Sequence, residues 1–240
     1  MVRIALVGDY APRHHSHREL EAVRSLLGAD VVAEWVATEG AAVGDLSEFD
    51  GIWLTPGTPY ADEAAAYRAV TWARVGDVPF LGTCGGLQYA VVEYFRNVLG
   101  EVDASHAESD GLDDGNVIAP LACSLQGQER LVTPVPGTRF ADLMDGRAVV
   151  GLHYCDYGPG AAQVERLESG GMAIEATAPD VPAEVLRLPS HRFFVLTLFQ
   201  PQIGAVAGLP VHPLVLDFVR CARDYARAGS PRFTPRRRSA

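Results

Sequence analysis

The stretch Val78-Pro79-Phe80-Leu81-Gly82-Thr83-Cys84-Gly85-Gly86-Leu87-Gln88 delivers one cysteine from a short apolar run into a glycine-lined turn, and a helix-like segment follows. Small residues on both sides let the backbone reverse sharply between strand and helix. Such a turn displays the Cys84 sulfur and leaves the following N–H groups free to hold a developing oxyanion. A helix N-terminus beside the thiol also favours thiolate over thiol. The competing reading is a small core cysteine in a strand-to-helix turn, because free cysteines are usually buried.

The elements that would position this turn follow from the chain's alternation. Arg3 to Val7 reads as a first strand, about His17 to Leu27 as a helix, and Asp30 to Ala37 as a second strand. Asp50 to Thr55 reads as a buried strand ending in the turn Pro56-Gly57-Thr58-Pro59-Tyr60, and Ala61 to Val75 carries helix-forming alanines. Strand and helix alternating at this spacing predict a mostly parallel sheet with helices on both faces. Ligands on such sheets sit beyond the carboxyl ends of the strands, which brings the Pro56-to-Tyr60 turn and Cys84 together in space.

Past the elbow, the acidic, glycine-containing segment from Asp103 to Gly115 reads as a surface loop. Strand-like runs at Val117 to Leu121, Ala148 to His153, Met172 to Ala176, Glu184 to Leu188 and Phe193 to Phe199 predict a more antiparallel second half. A helix over Pro213 to Arg227 spaces Leu214, Val215, Phe218, Val219 and Ala222 along one face. The Pro- and Arg-containing tail reads as disordered and solvated.

Composition narrows the function classes. The chain has 240 residues, 48% of them hydrophobic, enough for one sizeable core. A formal charge of -10 argues against nucleic acid or an anionic membrane as the main partner. All 20 basic residues are arginine, which excludes a Schiff-base lysine or a phosphate-loop lysine. Cys84, Cys123, Cys155 and Cys221 show no C-x-x-C spacing, so neither a metal site nor a disulfide framework is indicated, and a reducing cytoplasm is the simpler setting. The apolar run at the N-terminus is too short to span a bilayer and lacks a signal-peptide cleavage pattern.

These residues carry a resemblance. Arg3-Ile4-Ala5-Leu6-Val7-Gly8-Asp9-Tyr10, Trp53-Leu54-Thr55-Pro56-Gly57, the Cys84 elbow, and His191-Arg192-Phe193-Phe194-Val195 with His212-Pro213-Leu214 resemble, in order, segments of the glutamine amidotransferase domain of CTP synthases, a class I triad-type amidotransferase. The likeness extends over nearly the whole chain. It implies a flavodoxin-like α/β fold: a mostly parallel central sheet flanked by helices, with an antiparallel extension in the second half. It further implies a single domain over residues 1–228 and no cofactor; the composition of the tail over 229–240 predicts disorder, and the family's synthetase domain for UTP and ATP is expected to be absent.

The resemblance also assigns roles. Cys84 would attack an amide carbonyl, the oxyanion being held by N–H groups of Gly85 and of Gly57 or Thr58. The family's His and Glu, two residues apart on the last catalytic strand, fall on Gln200 and Gln202. Glutamine cannot take a proton from a thiol, and loss of such a base costs roughly 10²- to 10⁴-fold. Gln88 and Glu108 fall where the family holds glutamine, Glu108 being suited to an α-ammonium group. In His153-Tyr154-Cys155-Asp156-Tyr157-Gly158, the segment where the family's Arg grips the α-carboxylate, Asp156 would repel that carboxylate. A site with carboxylates at both ends should prefer a cationic or amine-bearing ligand. His153 and His106 are the candidates for a substitute base, while His14, His15 and His17 read as residues of a solvated polar loop.

Three functions of different classes follow: a cysteine-dependent enzyme acting on an amide, ester or thioester other than glutamine; a catalytically silent homologue that binds a metabolite or partner; or a glutaminase subunit supplying ammonia to a separate synthetase. The expected partners are a small-molecule substrate, a separate synthetase or pathway protein and a second copy in a homodimer, with no nucleic acid and no membrane.

Overall fold

The computed structural model describes residues 1–40 and 42–229, so the tail expected to be disordered lies, from residue 230 on, outside the described residues. The first half alternates strand and helix: β1 (Val2–Val7), α1 (His15–Arg24), β2 (Val31–Val36), β3 (Gly51–Leu54), α2 (Glu63–Gly76), β4 (Phe80–Thr83) and α3 (Gly85–Asn97). The second half holds β5 (Ser105–His106), α4 (Ala107–Asp110), β6 (Asn116–Pro120), β7 (Gln128–Pro134), α5 (Arg139–Leu143), β8 (Val149–His153), β9 (Tyr157–Gly158), α6 (Ala161–Ser169), β10 (Ala173–Ala178), β11 (Val181–Arg187), β12 (Phe194–Thr197) and α7 (Pro213–Arg227).

Nine strands form one sheet in the order β2-β1-β3-β4-β12-β11-β10-β7-β8. The strands from β2 to β12 pair in parallel, and each pairing from β12 through β8 is antiparallel. This is the predicted parallel core with an antiparallel extension. The parallel strands are apolar on both faces because helices cover both. Within β1, Ile4 and Leu6 join α1 and α7 in one core, while Ala5 and Val7 join α2 and α3 in the other, the alternation that a strand's two-residue period dictates. On α7, Leu214, Val215, Phe218, Val219 and Ala222 are buried as their spacing predicts. Deleting the fully buried Phe218 ring would cost about 3–5 kcal/mol.

Local chemistry sets the boundaries. α2 starts two residues later than Ala61 because the Asp62 side chain caps it, accepting a hydrogen bond from the Ala65 N–H, and it ends at Asp77 in the left-handed conformation. The segment from Asp103 to Gly115 is not simply a surface loop: β5 and α4 lie within it, and Ala104, Ser105 and His106 are buried. The acidic residues around them mask the positions from Ala104 to Ala107, which pack inward. β7, α5 and α6 were not expected, their segments being short and rich in polar residues. Among the described residues, no helix is long and apolar enough to cross a membrane.

Candidate functional site

Cys84 stands between β4 and α3 with φ 52° and ψ -110°, a strained conformation for a residue with a side chain. Its N–H donates to the Thr197 carbonyl on β12 at 2.8 Å, and its carbonyl accepts from the Leu87 and Gln88 N–H groups, so strand and helix together hold the turn. The flanking glycines are required by neighbours. A Cβ on Gly86 would lie 2.1 Å from the Leu54 carbonyl oxygen, and one on Gly85 would lie 2.2 Å from Thr58 Cγ2. The elbow is thus packed against β3 and against the Gly57–Thr58 turn that follows it.

That turn is held by two side chains from the N-terminal region. His17 accepts from the Ala11 N–H through Nδ1 at 2.9 Å, which leaves Nε2–H to donate to the Pro56 carbonyl at 2.8 Å. Asp9 accepts from the Thr38 N–H and the Ala61 N–H with its two oxygens. His17 is 1% exposed, and its burial lowers its pKa, so it serves as a neutral strut. The expectation of a solvated His14-to-His17 loop is therefore corrected at His17, while His14 is exposed as expected. His17 is buried, and His14 and His15 line the cavity over Cys84.

This cavity has a volume of about 270 Å³. Cys84, Gly57, Thr58, Gln88, Glu108, Asp156 and Gln200 of the expected site residues line it, together with Cys155 and Tyr154. The Gly85 N–H also faces the sulfur. Gln202 lies behind Gln200, donating from Nε2 to Gln200 Oε1 at 2.8 Å. Burial alone would raise the Cys84 pKa. Hydrogen bonds from the Cys155 thiol, the Gly85 N–H and the Gln200 side chain outweigh it, and the Cys84 thiol is held below its ordinary value. Cys155 is pushed well up by the same thiol pairing and by its own burial.

The two candidate substitute bases are not among the cavity-lining residues. His153 Nε2 pairs with Glu184 at 2.9 Å, both side chains being fully buried, and its Nδ1 has no partner. His106 accepts from the Glu108 N–H and donates through Nε2 to Gln88 Oε1 at 3.1 Å, and Gln88 in turn donates to the Tyr157 carbonyl at 2.8 Å. Burial lowers His106 to about 4, so it is neutral and its nitrogens are occupied. Among the described residues, no histidine hydrogen-bonds to the Cys84 sulfur.

At the far end, Glu108 Oε2 is buried without a partner, while Asp156 is exposed and accepts from Gln126 Nε2 at 2.9 Å. Among the described residues, no arginine lines the cavity. Nor is any group of three or more described His, Cys, Asp or Glu residues placed to hold a metal ion. The sequence reading missed His14, His15, Tyr154 and Cys155 as cavity residues. The first two follow the carboxyl end of β1, so the rule that placed the Cys84 elbow could have found them.

Comparison with known proteins agrees with this geometry. Residues 16–128 match the model of the class I glutamine amidotransferase family. The chain is 33% identical over 235 residues to the CTP synthase of Methanopyrus kandleri, covering 89% of this chain and 44% of that protein. It is 29% identical over 244 residues to the CTP synthase of Staphylococcus aureus, covering 93% and 45%. The chain thus spans under half the length of these relatives. Among solved structures, the glutaminase domain of the Trypanosoma brucei CTP synthase with bound acivicin superposes with a TM-score of 0.77 at 25% identity, covering 93% of this chain and 94% of that one. A glutamine amidotransferase from Thermotoga maritima shares the fold at a TM-score of 0.55 and 12% identity, covering 95% of each chain. With a parallel core, a strained cysteine elbow and CTP synthase homologues along most of its length, this chain belongs to the class I glutamine amidotransferase family.

Proposed function

We propose that the chain is a cysteine-dependent acyl-transfer enzyme whose substrate is an amine-bearing ester, thioester or activated amide other than glutamine. The observation that carries this reading is the surroundings of Cys84: Cys155, Gly85 and Gln200 lower its pKa, its sulfur lies 3.8 Å from the Tyr154 carbonyl, and among the described residues no histidine hydrogen-bonds to it. Donors hold a thiolate ready for attack without a base. An unactivated amide nitrogen must be protonated before it leaves, which is the second task of an imidazole in such reactions. An ester or thioester leaving group departs with far less need of that proton.

Attack by the Cys84 thiolate on the acyl carbon would form a tetrahedral oxyanion, which the Gly85 N–H and an N–H of Gly57 or Thr58 would receive. Collapse would expel the leaving group and leave an acyl-enzyme for water or a second acceptor. The buried, unpartnered Glu108 Oε2 supports a substrate with an ammonium group at that end. The absence of arginine from the described cavity lining supports a ligand without the α-carboxylate of an amino acid. His153 and His106 take structural positions in this reading. The four free thiols fit residence in a reducing cytoplasm.

Iodoacetamide labelling tests the nucleophile: Cys84 should alkylate faster than the exposed Cys123, and equal or slower labelling would favour a silent binding homologue. Aryl thioesters should then give a burst of thiol release, lost in Cys84→Ala, while glutamine gives no comparable ammonia release. Ammonia release from glutamine at the thioester rate would instead favour a glutaminase that feeds a separate synthetase.

A further inference from the structure

Cys84 and Cys155 are far apart in sequence, yet both line the same cavity, and each thiol is the largest influence on the other's titration. The Cys84 sulfur also lies 3.8 Å from the carbonyl oxygen of Tyr154, the residue before Cys155. Cys155 sits in the short connection between β8 and β9, its carbonyl accepting from the Leu125 N–H at 3.0 Å. Both cysteines are nearly enclosed, at 6% and 4% exposure, so the cavity is their route to small solutes. The other two thiols stand apart: Cys123 is exposed, and Cys221 on α7 contacts Arg139.

We propose that Cys84 and Cys155 form a reversible disulfide, so that the site is a peroxide-sensitive thiol pair in which Cys155 resolves the oxidised Cys84. This goes beyond acyl transfer and needs no acyl substrate. The Cys84 thiolate attacks one oxygen of hydrogen peroxide, the O–O bond breaks, and Cys84 becomes a sulfenic acid while the departing hydroxide takes up a proton as water. The Cys155 sulfur then attacks the sulfenic sulfur. The S–S bond forms, the S–O bond breaks, and the hydroxide leaves with the Cys155 proton as a second water. Two thiols are thereby oxidised by two electrons and one peroxide is reduced to two waters. A dithiol reductant reverses the bond by exchange.

The asymmetry of the pair suits this order. Cys84 is the thiolate-favoured partner, its pKa lowered first by the Cys155 thiol, whereas Cys155 is pushed up and keeps its proton. A low-pKa thiol beside a protonated one is the arrangement in which the first reacts with peroxide and the second traps the product. Bridging also ties up the sulfur at the elbow, so oxidation would silence whatever nucleophilic activity Cys84 has.

Peptide mapping of the full chain after treatment with hydrogen peroxide, without reduction, tests the proposal. A Cys84–Cys155 cross-linked peptide, lighter by two hydrogens and restored to free thiols by dithiothreitol, is the expected product. In Cys155→Ser the cross-link should vanish and dimedone should capture Cys84 as its sulfenic acid. The proposal is overturned if peroxide leaves both thiols free in the native chain, or if Cys84 passes to sulfinic acid equally fast with cysteine or serine at position 155. A chain that forms the bridge but transfers no acyl group would sink only the proposed function. One that turns over thioesters but never bridges would sink only this inference.

Discussion

Gln202 Nε2 donates a 2.8 Å hydrogen bond to Gln200 Oε1, with both side chains buried, so a carboxamide pair occupies the positions given by resemblance to an imidazole–carboxylate pair. The geometry of support is kept while the titratable groups are gone. Gln202 Oε1 is left buried without a partner, so the pair is not fully satisfied. Replacing only Gln202 by Glu would bury a charge opposite a neutral amide and should destabilise the fold by about 1–3 kcal/mol. Gln200→His with Gln202→Glu supplies the compensating imidazole and should recover most of that loss. Ammonia release from saturating glutamine should then rise by roughly 10²-fold or more, with KM staying high because no arginine stands among the described cavity residues. A folded double variant with no gain in the ammonia assay would show that the missing base is not what separates this site from a glutaminase.

The donors around Cys84 predict the pH profile of its alkylation. The Cys84 pKa is lowered, so the thiolate persists to a lower pH than in an ordinary cysteine, and the iodoacetamide rate should lose half its plateau below the usual thiol midpoint. Removing a donor raises that midpoint. Gln200→Leu and Cys155→Ala should each shift the profile towards higher pH, Cys155→Ala the more because its thiol contributes the largest stabilisation. Unshifted profiles in both variants, followed by mass spectrometry of the Cys84 peptide, would remove these side chains from the account of the thiolate.

The elbow was legible because its information is local: glycines beside one cysteine after an apolar run, read on a two-residue period, place Cys84 without any long-range contact. The parallel half of the sheet was legible for the same reason, from runs such as Gly51–Leu54 that are buried on both faces. His17 was misread because its partner, Pro56, is 39 residues away, and polarity alone cannot distinguish a solvated histidine from a buried strut. The pairing of Cys84 with Cys155 escaped notice on the same ground, since neither thiol has a local neighbour that points to the other. His153 and His106 looked available because sequence shows a titratable ring but not that each ring is buried, with its Nε2 held by Glu184 or Gln88.

The 2.2 Å approach of a Gly85 Cβ to Thr58 Cγ2 predicts a specific epistasis. Gly85→Ala should destabilise the protein by about 1–3 kcal/mol, as overpacking of a closed site does, and should push the Gly57–Thr58 turn away from Cys84. Thr58→Ser deletes the offending methyl and leaves the next atoms at 3.3 Å or more, so the double variant should regain much of the stability. Urea unfolding of the four proteins in the cycle measures the coupling. Additive effects would mean that the elbow and the oxyanion turn are not packed as described.

Burial of neutral histidines makes the fold sensitive to mild acid, and the sign follows from their depressed pKa values. His106 and His212 both fall to about 4 from an ordinary value of 6.5. Above pH 6.5 each is neutral in the folded and unfolded chains, and neither changes stability with pH. Between 6.5 and 4 the unfolded chain takes up a proton that the folded one refuses, so stability falls as pH falls through that window and levels off below it. A fully expressed shift of this size corresponds to about 3 kcal/mol for the completely enclosed His106, and to less for His212, which is only half-buried. His212 also caps α7, accepting from the Leu214 N–H at Nδ1, so replacing it confounds charge with capping. The cleaner variant is His106→Gln, which keeps a polar group near Gln88 but cannot titrate. Unfolding free energies measured from pH 7.5 to 4.5 should decline less steeply in His106→Gln than in the native chain. Parallel curves would mean that His106 is protonated in the folded state and that its contacts with Gln88 and the Glu108 N–H are not those of a neutral ring.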